Sequence, residues 1–299
     1  MTEVVTTTTT ATHGVNATYI NPILQAALRP RVVAVPLCAQ YNMAGKNSKV
    51  LDIVAPDADA VEDITEGTAI ESKSFATARV QITIAQVGIH RQVSELALRT
   101  NIFDLEGYLT RDDGPAAIAM EMDTDVTATY ANASVGVSDT GVNADFSDFL
   151  ELIALHAVGL GGANTAFVGH PRQVGDIRSS ALTSSAAAFG NSSSNMTTMN
   201  MGQAATQGYV GDLVGIPVYQ TTVCPTANAS ADRVGALFSV GSAAGGDDRT
   251  AATGFAYLWL AEVMQNVNTF NTSRLYGITG CYGTAEIMDR SIVSLTTDA

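Results

Sequence analysis

Charge is what this sequence has least of. Lys, Arg, Asp and Glu together make up 15% of its 299 residues, against about a quarter in ordinary soluble domains. A chain of this size normally needs more charge to keep its surface in water. Much of that surface is therefore expected to be covered, most simply by other copies of the chain. A coat of Thr, Ser and Asn is the alternative. Basic residues are scarcer still: the only lysines are Lys46, Lys49 and Lys73, and the net charge is −14. That balance argues against non-specific nucleic-acid binding, which depends on Lys and Arg neutralising phosphates. The cysteines are Cys38, Cys224 and Cys281, an odd and widely spaced set that makes no disulfide framework. No apolar run reaches the ~18 residues of a membrane span; the longest, Phe255 to Leu260, is followed by Glu262. The start, MTEVVTTTTT, lacks the basic and apolar segments of a signal peptide. Synthesis in the cytosol is the expectation.

What is present divides into five stretches. Residues 1–47 read as an extended arm: a Thr run, then a short helix from Pro22 to Leu28 that Pro30 ends. Alone, such a segment has nothing to pack on. Residues 48–87 read as a long hairpin. Its strands are Lys49 to Ala55 and Ala78 to Val87, the second alternating Val80, Ile82 and Ile84 with Gln81, Thr83 and Ala85. Between them lies an acidic tip, PDADAVEDITEGTAIESK, longer than a tight turn and of the length usually reserved for functional loops.

Within residues 88–140, helical signals dominate from Val93 to Ala133. The main helix opens at Asp112-Asp113-Gly114-Pro115 and carries Ile118, Met122, Val126 and Tyr130 as an apolar stripe at i, i+4 spacing. Residues 141–250 form an α/β region. A second helix starts at Asp145 or Ser147 and ends at Gly161-Gly162, and a buried strand follows from Thr165 to Gly169. Arg172 to Leu182 reads as a helix interrupted at Gly175, and residues 184–200 as a Ser/Asn-rich loop. In GYVGDLVGIPVYQTTV, at 208 to 223, Gly208 and Gly211 bend the backbone on both sides of Tyr209. Its proline is expected to end one strand before another runs from Val218 to Val223. Residues 251–299 return as β structure, with runs at Phe255 to Leu260 and Ile287 to Leu295; a further run at Ala236 to Val240 precedes them.

The Gly-rich corner at 208 to 223 resembles the central domain of major capsid proteins of tailed bacteriophages, the Hong Kong 97-type capsid fold. GIHRQVSELAL at 88 to 98, AFVGHP at 166 to 171, and LYGITGC at 275 to 281 with EIMDRSIVSL after it resemble further segments of that family. The order of elements resembles it too. The resemblance implies an α+β fold made of an N-terminal arm (1–47), an E-loop hairpin (48–87), and a peripheral (P) domain with a long spine helix (88–140). An axial (A) domain (141–250) and return strands completing both domains (251–299) follow. It implies a coat protein that assembles as pentamers and hexamers into an icosahedral shell. Such a shell forms in the host cytoplasm and encloses double-stranded DNA without reading its sequence. Portal, scaffolding and decoration proteins are the further partners implied, with no membrane, cofactor or metal. The E-loop residues Asp52, Asp57, Asp59, Glu62, Asp63, Glu66, Glu71 and Lys73 would lie over an adjacent subunit, with Arg99, Arg111, Arg172 and Arg178 as cationic partners. An encapsulin-like compartment shares the fold, but its usual cargo-binding first helix contrasts with the Thr-rich start here. A secreted surface-layer or adhesin protein fits the composition but needs an export signal.

Catalytic chemistry finds little support. His13, His90, His156 and His170 are scattered, with no HExxH. Asp57-Ala58-Asp59 begins like a calcium loop, but Val61, Glu62 and Thr68 occupy positions that need a ligand, a glycine and a closing glutamate. The glycines of 241–246 lack the Lys-Ser/Thr of a phosphate loop. Glu121 and Asp125, one helical turn apart, suit an acid–base pair but more often face solvent or an arginine. Some capsid proteins of this family join an E-loop lysine to an asparagine of a neighbour's P domain. Here no asparagine follows Asn271, so no such crosslink is expected. The chain reads as a structural protein and not an enzyme.

Overall fold

The computed structural model describes residues 32–56, 77–100, 107, 114–160, 164–188, 208–268 and 272–298. The first part holds strands β1 (Ala39–Asn42), β2 (Val50–Pro56), β3 (Thr77–Thr83) and β4 (Ala85–Ser94), then the short helix α1 (Glu95–Thr100). The middle holds α2 (Gly114–Ala128), β5 (Gly136–Asn143), α3 (Phe146–Leu160), β6 (Thr165–Gly169) and α4 (Pro171–Ala188). Strands β7 (Tyr209–Leu213), β8 (Ile216–Gln220), β9 (Thr226–Ala227) and β10 (Asp232–Ser239) follow. Three more close the chain: β11 (Thr253–Asn268), β12 (Ser273–Glu286) and β13 (Ile292–Asp298).

These strands make three sheets. A seven-stranded sheet runs in the order β5-β13-β10-β6-β8-β7, with β9 also on β10. A four-stranded sheet runs β1-β11-β12-β4, and β2 and β3 pair only with each other. In the seven-stranded sheet β10 is central and buried on both faces, so alternate residues feed two cores. Val234, Ala236 and Phe238 join Ala166 and Val168 on one face; Leu237 joins Phe167, Val293 and Leu295 on the other. The second face is closed by α3, through Phe149 and Leu152, and by α4, through Val174 and Ile177.

Helix α2 sits between the two large sheets. Ile118, Met122 and Val126, with Tyr130 just beyond its end, meet Phe238 and Ile292 of the seven-stranded sheet. The same cluster takes in Phe255, Ile278 and Tyr282 of the four-stranded sheet. The stripe read at i, i+4 spacing is thus the seam of the molecule, buried on every member. Its expected cap at Asp112-Asp113 lies outside the described residues. The cap of α3 is present: Asp145 Oδ1 accepts the amides of Ser147 (2.7 Å) and Asp148 (3.2 Å), while Asp148 Oδ2 accepts that of Asp145 (2.8 Å). This reciprocal pairing satisfies the free amides of a helix start.

Several boundaries differ from the sequence reading. The run Ala78 to Val87 is two strands, because the chain changes sheet at Ile84, whose amide turns to the carbonyl of Lys49 (2.8 Å). Pro217 does not end a strand but lies within β8, opposite Asp212 on β7; that strand stops at Gln220 rather than reaching Val223. Helix α4 runs through Gly175 to Ala188, since one exposed glycine costs only about 1 kcal/mol. Val93 and Ser94, expected to open the helical stretch, belong to β4, and β5 takes residues for which the sequence suggested no element. The run Ile287 to Leu295 is broken by a short 3-10 turn, Asp289–Ser291, before β13. The expected helix at Pro22 to Leu28 lies outside the described residues.

Candidate functional site: hairpin, cationic face and arm root

The hairpin of β2 and β3 is in register from Val50 opposite Thr83 to Pro56 opposite Thr77. Asp52 forms an ion pair with Arg79 within this hairpin, and the guanidinium holds the carboxyl below its ordinary range. Both side chains are exposed, so the pair adds little stability by itself. Asp57, Asp59, Glu62, Asp63, Glu66, Glu71, Lys73 and Arg111 lie outside the described residues.

The other three arginines singled out are spread over two elements. Arg99, at the end of α1, meets Glu95 at 3.1 Å, and the same carboxylate receives Arg274 of β12 at 3.0 Å. Two cations on one carboxylate leave Arg99 largely in solvent, with 77% of its side chain exposed. Arg172 on α4 lies 3.7 Å from Asp298 of β13. Arg178, two turns further along α4, forms no ion pair with a described residue. Among the described residues, Arg99 thus stands on a different element from Arg172 and Arg178.

The titratable groups near the core serve packing. Tyr282 donates its hydroxyl to Asp125 Oδ2 at 2.7 Å, so that carboxylate is tied to β12 rather than paired with Glu121. His156 is buried, 3.1 Å from Ser239 Oγ, and burial lowers its pKa. Burial pushes the thiols of Cys38 and Cys224 up to about 12, and that of Cys281 upward too. All three stay protonated and poorly nucleophilic near neutrality. Among the described residues no group of three His, Cys, Asp or Glu is placed to hold a metal ion, and no helix is long and apolar enough to cross a membrane.

One carboxyl group titrates near neutrality. At the end of β12, burial and the neighbouring Asp289 push Glu286 up to about 7. Asp289 itself is held low, by hydrogen bonds from the hydroxyl and amide (2.8 Å) of Ser134. A raised acid stabilises the fold fully below its ordinary pKa, about 4.5, and loses that contribution as pH rises through 7. After solvent screening of this half-exposed group, the loss between pH 6 and 8 is expected to be about 1 kcal/mol. Melting curves across that range check it: Glu286→Gln should flatten the fall, and an equal fall in the variant would contradict it.

The local geometry is tightly constrained at Val33 to Val35. Asp123 on α2, 1% exposed, accepts the consecutive amides of Val33 (3.0 Å), Ala34 (2.6 Å) and Val35 (3.3 Å), all on Oδ1. Thr221, after β8, donates to Oδ2 at 3.4 Å. Burial raises this carboxyl's pKa, against the lowering effect of those donors. Beside it, Gly208 adopts φ +75°, and a side chain there would stand 2.6 Å from Val33. Gly208 is thus both a turn and a site of close backbone approach. Sequence reading picked out Gly208 but not Asp123. Glu121, Asp123 and Asp125 sit at alternate positions of one helix, and only packing separates the one that turns inward.

No family model matches the sequence, and no curated protein is matched. Solved structures do match over nearly the whole chain. A structure of Mycobacterium phage Che8 is similar at a TM-score of 0.69 and 16% identity, covering 93% of this chain and 96% of that one. The capsid of the Cyanophage P-SCSP1u is similar at 0.64 and 13%, over 97% and 95%. The mature capsid of bacteriophage PhiM1 is similar at 0.63 and 10%, over 95% and 92%. At these identities the likeness is one of fold: the chain has the mixed α+β fold of phage capsid subunits over more than nine-tenths of its length.

Proposed function

We propose that this chain is the major capsid protein of a tailed phage, a structural protein whose copies form pentamers and hexamers and close into an icosahedral shell around double-stranded DNA. The observation that carries the reading is the coverage: the fold is shared over more than nine-tenths of both chains. In this reading the architecture is of the Hong Kong 97 type. The lone β2–β3 hairpin is the base of the E-loop, α2 is the spine helix, the four-stranded sheet belongs to the peripheral domain and the seven-stranded sheet to the axial domain. The low charge content supports burial between copies. Portal, scaffolding and decoration proteins are the further partners, and the virion, assembled in host cytoplasm, is the destination.

The shell is held without covalent links. Carboxylates of the hairpin tip pair with arginines of an adjacent subunit, among which the exposed Arg99 is the best presented. Each exposed pair is worth about 0–1 kcal/mol, but the pairs repeat around a closed shell. Shells boiled in denaturant should run as one band near 31 kDa. A ladder of multimers would refute non-covalent closure.

A further inference from the structure

We infer that Asp123 is a positioning residue for assembly: its carboxylate fixes the backbone of Val33 to Val35, the point to which the preceding segment is joined. The inference rests on the capsid reading for its consequence, but its geometry stands alone. Three successive amides converging on one oxygen form the kind of concave donor set that binds an anion. Here the anion is supplied by the protein's own spine-like helix, 88 to 90 residues along the chain from the amides it holds. Asp123 has no ion pair with a described residue, so the amides and the Thr221 hydroxyl are its compensation, and charge-assisted hydrogen bonds are the stronger kind.

The consequences follow from what those bonds fix. Ala34 is held at φ −81° and ψ −37°, and the 3-10 turn Val35–Leu37 begins at once behind it. Gly241 donates to the carbonyl of Leu37 at 2.8 Å, and Cys38 donates to that of Ala34 at 3.4 Å. Gly208 leaves the space that Val33 enters. The segment from Val33 to Cys38 is therefore held on three sides, by α2, by the β7–β8 corner and by the turn after β10. Thirty-one residues precede Val32. In a shell of repeated subunits, a fixed backbone at Val33 gives that segment the same point of origin in every copy.

Trypsin tests the clamp directly. The bond after Arg31 lies two residues from Val33, whereas Arg29 precedes a proline and resists the enzyme. A protease needs several extended residues around its bond, so cleavage there reports how often the clamp opens. Asp123→Leu keeps the branched outline at a larger volume and removes the acceptor. Cleavage at Arg31 should rise at least about tenfold, the order expected for losing a charge-assisted bond, while cleavage at Arg233 in β10 stays unchanged. Asp123→Asn, which retains one oxygen, should fall between, and shell yield should drop in the same order. Equal rates at Arg31 in wild type and Asp123→Leu would overturn the inference. If Asp123→Leu proves insoluble, a wild-type rate in Asp123→Asn would do the same. Faster cleavage in a protein that never forms shells would sink the capsid reading and leave the clamp standing.

Discussion

Replacing Phe238 with alanine is expected to destabilise the protein by about 3–5 kcal/mol, the usual cost of emptying a closed aromatic site. Phe238 is fully buried in β10. Its ring centroid lies 5.2 Å from that of Tyr130, and it shares a cluster with Val126 and Ile292 and, across α2, with Phe255 and Tyr282. Such a site has walls from two sheets and a helix, so it cannot collapse by moving one side chain. The loss should appear as a lower urea midpoint at unchanged slope. Val267→Ala, on an exposed stretch of β11, should change stability by no more than about 0.5 kcal/mol. A cost below about 1 kcal/mol at Phe238 would mean that the two sheets do not share one core.

The second large effect concerns assembly rather than folding. Deleting residues 1–31 should abolish closed shells while moving the melting temperature by only a few degrees. The first 20 residues carry no apolar pattern, so any order in them is expected to come from neighbouring copies. The body, by contrast, keeps its clamp from Val33 onward. Particle counts by electron microscopy and a melting curve on the same preparation separate the two effects. Normal shells from the truncated chain would show that the arm adds nothing to closure.

How far the sequence could be read depended on whether a residue's role was local. The stripe from Ile118 to Tyr130 was legible because helix periodicity alone decides which face is buried. The cap at Asp145 and the strand Thr165 to Gly169 were legible for the same reason. Strand β11 was not. Its 16 residues pass through Glu262 because the distal half is exposed, with Glu262, Gln265 and Asn266 in water. A run judged by hydrophobicity therefore seemed to end at Leu260, while backbone pairing to β12 carries it on to Asn268. Pro217 is tolerated in β8 because the pairing of that strand with β6 starts only at Val218, one residue further on. Asp123 was the least legible of all. Its partners lie some ninety residues away, and no spacing rule connects an acidic residue on a helix to three amides of an entering chain.

The account rests on closure of many copies into one particle, and light scattering of the purified full-length protein measures that most directly. The account predicts a narrow population of megadalton particles, shown as round shells of uniform diameter by electron microscopy. A stable 31 kDa monomer, under conditions in which phage particles persist, would contradict it.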